Sequence, residues 1–207
     1  MKTTTKVWDK IFQRSGKVFT DPHRDIPEIA RFLTDKGAKN ILDLGCGTGR
    51  HVIYLVKNGF SVSGMDNSPQ AIEMTRIWLE EENLKANLQL QEMAKKFPYE
   101  DHFFDAIISV QVIHHADTAT IKHIVQEMER VIKTGGFIFV TVPKLRNQGR
   151  NFKQIEPNTC VPLDGAEKGL PHHYFTPDEL REFFVNFQVR DIHLDEIDHY
   201  CLSAMKL

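Results

Sequence analysis

The sequence predicts an α/β fold: a doubly wound, mostly parallel seven-stranded sheet with helices on both faces and a C-terminal antiparallel hairpin. Three observations carry this. Strand-like and helix-like segments alternate between residues 40 and 142, as in right-handed βαβ units. Residues 137–142 are apolar but for Thr141, as expected of a strand buried on both faces. The last strand candidates, 188–194 and 199–205, lie too close together for a crossover helix, so they pair antiparallel.

Taken in order, residues 3–14 place Val7, Trp8, Ile11 and Phe12 on one helical face. Asp25 and Glu28 have the spacing of a capping box, with Pro27 in the first turn. That helix turns Ile29, Ala30 and Leu33 inward and ends near Gly37. Residues 40–44 form a short apolar strand, and a glycine-rich run, 45–49, follows. A helix over 50–58 uses Val52, Ile53 and Val56, and residues 60–65 read as a strand. Ser68-Pro69 opens a helix, a hydroxyl cap followed by a proline whose missing N–H costs nothing there. It runs through Ile72, Thr75 and Leu79. Strands are expected at 87–91 and 103–110. Ile121, Ile124, Val125, Met128, Val131 and Ile132 form a 3.6-period stripe that Gly135-Gly136 should end. Thr176-Pro177-Asp178-Glu179 is a second capping box, opening a helix with Leu180, Phe183, Phe184 and Phe187 inward.

Residues 143–175 show no period and contain Pro143, Pro157, Pro162 and Pro171. A loop of this length in a compact domain usually serves function, so it is read as a cover over the substrate side, with room for short helices of its own.

The 207 residues fit a single domain, 1–207. It divides into N-terminal helices (1–37), a ligand-binding core (38–142), the long loop (143–175) and a C-terminal helix and strand pair (176–207). With 41% apolar and 26% charged residues, disorder is excluded. A net charge of −2 supplies no general pull toward nucleic acid or anionic lipid. The N-terminus lacks a signal-peptide core, and no apolar run approaches the ~18–20 residues of a membrane span. Cys46, Cys160 and Cys201 are odd in number and far apart, which fits neither a disulfide framework nor a zinc knuckle. A cytoplasmic protein without a metal site is expected.

The chemistry centres on Ile41-Leu42-Asp43-Leu44-Gly45-Cys46-Gly47-Thr48-Gly49. Alternate glycines let the chain turn sharply after a strand and approach a ligand closely. In the dinucleotide fingerprint G-x-G-x-x-G the third glycine would fall at residue 50, which is arginine, and the lysine of a Walker loop is absent. Asp66 ends the next strand with Asn67 beside it, where a carboxylate accepts both hydroxyls of a ribose. The same Asp-Asn-Ser-Pro turn also starts a helix.

These residues resemble the class I S-adenosylmethionine-dependent methyltransferases, in particular their small-molecule branch, with a Rossmann-like fold. The resemblance runs from about residue 38 through 142 and more loosely beyond. It rests on 43–49, on Val62-Ser63-Gly64-Met65-Asp66-Asn67-Ser68, on Glu92-Met93-Ala94 with Phe97-Pro98-Tyr99, on Phe104-Asp105-Ala106-Ile107-Ile108-Ser109, and on Glu129 through Gly136. It implies that Gly45, Cys46 and Gly47 pass under the methionine part and ribose of S-adenosylmethionine, and that Asp43 lies near its amino group. Asp66 would hold the ribose hydroxyls and Asn67 flank the adenine. Glu92, where the family more often has Asp, would reach the adenine amine, and Met93 would pack on the ring. Val110 and Gln111 would lie beside the cofactor, which leaves as S-adenosylhomocysteine.

His114 and His115 follow the fourth strand on the substrate side. One could act on the acceptor as a catalytic group; alternatively one packs on the cofactor and the other caps the helix near Asp117. His172, His173 and Tyr174 shape the substrate pocket or form a polar hinge. Trp8 and Phe12 close over the methyl site or simply pack. Cys46 reads as a small buried residue rather than a nucleophile. Residues 144–153 hold four basic groups and no acid, suited to an anionic substrate or RNA phosphate, or to a solvated loop. Val112-Ile113-His114-His115 also resembles the matching stretch of methyltransferases that finish a modified wobble uridine of tRNA. The leading expectation is methyl transfer to a small molecule, with a tRNA acceptor or non-catalytic cofactor binding as alternatives.

Overall fold

The computed structural model describes residues 2–17, 19–146 and 151–207. Helix α1 (Lys2–Ser15) is followed by α2 (Ile26–Asp35), β1 (Asn40–Leu44), α3 (Arg50–Lys57), β2 (Ser61–Asp66) and α4 (Pro69–Glu81). Then come β3 (Asn87–Leu90), β4 (Phe104–Val110), α5 (Thr118–Val131) and β5 (Ile132–Pro143). Three short strands, β6 (Phe152–Glu156), β7 (Thr159–Pro162) and β8 (His172–His173), precede α6 (Pro177–Phe183), β9 (Phe187–Leu194) and β10 (His199–Lys206).

The main sheet has the order β3-β2-β1-β4-β5-β10-β9. Its first five strands pair in parallel, and β10 and β9 close the edge antiparallel. The chain reverses its direction of travel between β1 and β4, and ligands bind beyond the strand ends at such a switch point. Alternation of side chains sorts each strand onto two cores. Leu42, Leu44, Ile107, Ile138 and Val140 pack with the α5 stripe and with Leu180 and Phe184. Ile41, Ala106, Ile108 and Phe139 pack with Ile29 and Leu33 of α2, Val52 and Leu55 of α3 and Leu79 of α4. Helices therefore cover both faces, as the fold class requires. No helix of the described residues is long and apolar enough to cross a membrane.

Several local expectations change. Asp25 precedes α2, but its backbone is already helical and its side chain makes no cap bond. Its carboxylate instead accepts from His193 Nε2 at 3.0 Å. The α5 stripe ends at Val131, and Ile132 begins β5 with no intervening loop. Gly135-Gly136 lie inside that strand, where the β4–β5 register shifts between the Phe104 and Ala106 pairs, and Gly135 takes φ +73°. Thr176 does cap α6, accepting from Glu179 N–H at 3.2 Å, but Phe187 belongs to β9 rather than to the helix.

Residues 143–175 contain strands rather than short helices: β6, β7 and β8 form a separate antiparallel sheet. Two of the contacts that dock this sheet are hydrogen bonds to α5 and to the segment after β4. Glu156 Oε2 accepts from the backbone N–H and hydroxyl of Thr118 at 3.1 and 2.8 Å, placing an acid at the N-terminus of α5. His173 N–H donates to the His114 carbonyl at 2.8 Å. Part of the basic stretch, residues 147–150, lies outside the described residues.

Candidate active site

A cleft lies at the carboxyl ends of β1, β2 and β4, a concave place of the kind that holds small-molecule ligands. Its floor is the turn after β1. Gly45 and Cys46 both donate to the Met65 carbonyl, at 2.7 and 3.1 Å, which ties this turn to β2. Gly45, Gly47 and Gly49 take φ of +75°, +54° and +96°, a region that only glycine enters cheaply. Thr75 from α4 donates its hydroxyl to the Gly47 carbonyl at 2.9 Å.

Asp66 stands at the end of β2 with both carboxylate oxygens oriented. Oδ2 accepts from Gly47 N–H and Oδ1 from Ser68 N–H, each at 2.9 Å. An ionised carboxylate has about four acceptor positions, so one on each oxygen stays available. Burial raises the Asp66 pKa, and those backbone N–H bonds oppose the rise. Asn67, Met93, Val110 and Gln111 also line the cleft. Gln111 holds φ +61°, and its N–H is secured by Thr141 Oγ1 at 3.0 Å. A non-glycine residue held in this region is the strain often found at functional sites.

Asp43 lies beneath the floor, 1% exposed. Its Oδ1 is 3.9 Å from His51 Nδ1, whereas Oδ2 has no hydrogen-bond partner. Burial pushes its carboxyl up to about 7, opposed by Arg50 and reinforced by Asp66. Burial also drives the His51 imidazole well below its ordinary pKa, so that ring is neutral. Arg50 lines the cleft and lies over the Phe19 ring at 4.7 Å.

Helix α1 supplies the opposite wall through Trp8, Ile11 and Phe12. It is latched by Asp9, which accepts a short hydrogen bond from the Ser68 hydroxyl and another from Gln70 N–H at 3.3 Å. Ser68 in turn caps α4, accepting from Ala71 N–H at 3.1 Å. Trp8 meets His115 edge-on at 5.1 Å between ring centres.

Of the residues read from the sequence, Gly45, Cys46, Gly47, Asp66, Asn67, Met93, Val110, Gln111 and His115 share this cleft. Three do not. Asp43 is below its floor. Glu92 turns outward to Lys95 at 3.3 Å, and Gln91 takes the wall position. His114 lies behind His115, 3.9 Å between ring centres with the rings tilted by 40°, and beside His172. Neither histidine caps α5, because Asp117 does so itself, accepting from Thr120 N–H at 2.8 Å. Burial depresses both histidines, His115 to about 3, which leaves both rings neutral. The Cys46 thiol is pushed up by burial, away from nucleophilic use. Arg50, His51, Gln91 and Val112 were not among the site residues read from the sequence; each lies within four positions of a residue that was. Phe19 carried no signal.

Residues 41–136 match the family described as a methyltransferase domain. Over 159 residues, 75% of this chain, the sequence is 31% identical to a probable tRNA methyltransferase 9B of Mus musculus. The chain spans about a third of the length of that relative and of its bovine and human counterparts (33% in each). A SAM-dependent methyltransferase from Methanosarcina mazei superposes with a TM-score of 0.76 at 21% identity, over 90% of this chain and 99% of that one. A 1,6-didemethyltoxoflavin-N1-methyltransferase from Burkholderia thailandensis, solved with its substrate and S-adenosylhomocysteine, superposes with a TM-score of 0.71 at 16% identity. That match covers 99% of this chain and 89% of the other.

Proposed function

With residues 41–136 a class I S-adenosylmethionine-dependent methyltransferase domain, we propose that this protein transfers a methyl group to a small-molecule acceptor. The observation that carries this reading is the unpartnered, buried Asp43 Oδ2 under the glycine turn. A buried carboxylate oxygen without a donor is costly, and an α-ammonium above the turn supplies the missing donor and charge. Arg50, on the same side of the cleft, suits the carboxylate of that amino-acid end.

When bound, S-adenosylmethionine supplies a methyl already activated on a sulfonium. The protein's work is to bind and align. Asp66 offers its two remaining acceptor positions to the ribose hydroxyls. Asn67 and Met93 flank the adenine, and Gln91 serves the adenine edge in place of Glu92. Gly45, Cys46 and Gly47 give the cofactor a close backbone floor, with Val110 and Gln111 beside it. Trp8 and Phe12 exclude water from above. His115, backed by His114, marks the acceptor side of the cleft, where pre-organised approach to the methyl carbon gives most of the rate.

A tRNA acceptor is the second reading. It is favoured by the relative named as a tRNA methyltransferase and by Lys144, Arg146, Arg150 and Lys153 in the loop 144–153. The α1 helix over the cleft favours the smaller acceptor. The cytoplasm is the proposed location.

Calorimetric titration with S-adenosylmethionine, S-adenosylhomocysteine and NAD tests the cofactor assignment. Micromolar binding of the first two and none of NAD is expected. NAD binding, or no binding of the sulfur ligands, overturns it. Turnover of methyl-labelled cofactor with small thiols, amines, carboxylates and tRNA then separates the acceptors and exposes binding without catalysis. A tRNA product whose yield falls steeply with salt would favour the second reading.

A further inference from the structure

We propose that His114, His115 and His172 form a binding site for one divalent transition-metal ion of the zinc type at the edge of the cleft. One ring nitrogen from each lies within 4.8 Å of the other two. All three side chains are buried, at 4, 7 and 6% exposure. The Nδ1 atoms of His114 and His115 have no hydrogen-bond partner. Two adjacent orphaned imidazole nitrogens are expensive in a packed interior, and a shared cation satisfies both. Three imidazoles suit zinc, copper, nickel or ferrous iron, and three protein ligands leave a coordination position open.

The surroundings match those of a metal centre. Ligating histidines usually pass their other ring nitrogen to a carbonyl or carboxylate. Here His172 Nδ1 meets the Leu170 carbonyl at 3.0 Å. His172 Nε2 faces Glu167 Oε2 at 2.9 Å. The hydrogen bond from His173 N–H to the His114 carbonyl holds β8, and with it His172, against the loop after β4.

Two other clusters, His23 with Asp195 and Cys201, and Asp25 with His193 and Cys201, also bring three donors together. Their polar groups already bond to one another or to backbone: His193 Nε2 to Asp25 at 3.0 Å, and Asp195 Oδ1 to the N–H groups of Ile197 and His199. They do not share the orphaned nitrogens of the first cluster. Because His115 lines the cleft, an ion held there would meet the acceptor's heteroatom. That consequence rests on the methyl-transfer reading, whereas metal binding itself does not.

The test uses the tag-free full chain, stripped of metal and titrated with Co²⁺. One equivalent is expected, with the visible absorption of a low-coordinate cobalt centre, displaced stoichiometrically by Zn²⁺. Trp8 emission, read in a Trp78→Phe background, should be quenched as Co²⁺ binds. His172→Asn and His115→Asn should each weaken binding at least ~10-fold, and Cys201→Ser should leave it unchanged. Absence of stoichiometric binding, or binding lost in Cys201→Ser and retained in His172→Asn, overturns the proposal. Titration with S-adenosylhomocysteine, run separately, shows whether the cofactor reading fails on its own.

Discussion

Val112 stands so close to Gly45 that a β-carbon on Gly45 would lie 2.3 Å from Val112 Cγ2. The contact joins the turn after β1 to the segment after β4, across the switch point where the cleft opens. Gly45 also holds φ +75°. Gly45→Ala therefore meets two penalties, about 1–2 kcal/mol for the left-handed backbone and about 1–3 kcal/mol for overpacking. Urea denaturation should show a loss of about 2–5 kcal/mol. Adding Val112→Ala should recover the steric part and leave the backbone part. Strict additivity in this double-mutant cycle would mean the two residues do not press on each other.

Asp66 does two jobs at once, orienting the glycine turn through Gly47 and the α4 entrance through Ser68. Asp66→Ala should weaken S-adenosylhomocysteine binding more than ~10-fold, a loss above about 1.4 kcal/mol, with the circular dichroism spectrum unchanged. Asp66→Asn keeps one acceptor oxygen and should lose less. Equal affinity of Asp66→Ala and the parent in calorimetry would remove Asp66 from the site.

The parts of this site that were legible in the sequence are those set by backbone pattern. Gly45, Gly47 and Asp66 follow from glycine spacing and a strand end, Asp43 was read only through the family resemblance, and the bounds of β1 fall at 40–44 as read. What was hidden depends on packing between distant segments. Nothing local indicates that Glu92 loses its wall position to Gln91; the twist of the chain after β3 and the Lys95 partner decide it. The strands β6–β8 lack any apolar alternation because their sheet is short and docks through polar contacts, Glu156 to Thr118 and His173 to His114. The meeting of His172 with His114 and His115 follows from that docking, not from any spacing. Asp25 shows the reverse case: its local capping signal was overridden by His193, 168 positions away.

Asp9 fastens α1 over the cleft through Ser68 and Gln70. An acid at the N-terminus of α4 adds to the cap as well as to the latch. Asp9→Ala should cost about 1 kcal/mol of stability and expose α1 to limited proteolysis before the rest of the chain. Bound S-adenosylhomocysteine should also dissociate faster, since Trp8 and Phe12 leave with the helix. Unchanged proteolysis and dissociation kinetics would show that α1 is held by its apolar face alone.

Asp43 gives the site its pH dependence. Burial raises its carboxyl to about 7, so between about pH 4 and pH 7 the folded state binds more protons than the unfolded state. Stability from this group therefore falls as pH rises through that window. Asp43→Asn removes the buried charge while its amide oxygen can still accept from Val52 N–H, as the carboxylate does. The variant should be more stable than the parent at pH 8 by about 1 kcal/mol or more, a gap that closes toward pH 4. Cofactor affinity should move the opposite way. An ammonium partner needs the ionised carboxylate, so in the parent each pH unit below about 7 should weaken S-adenosylhomocysteine binding by up to ~10-fold. Asp43→Asn should bind weakly and with little slope from this group. Thermal unfolding and calorimetry across pH 5.5–8 read both trends, and a parent affinity that stays flat would sever Asp43 from the cofactor's amino group.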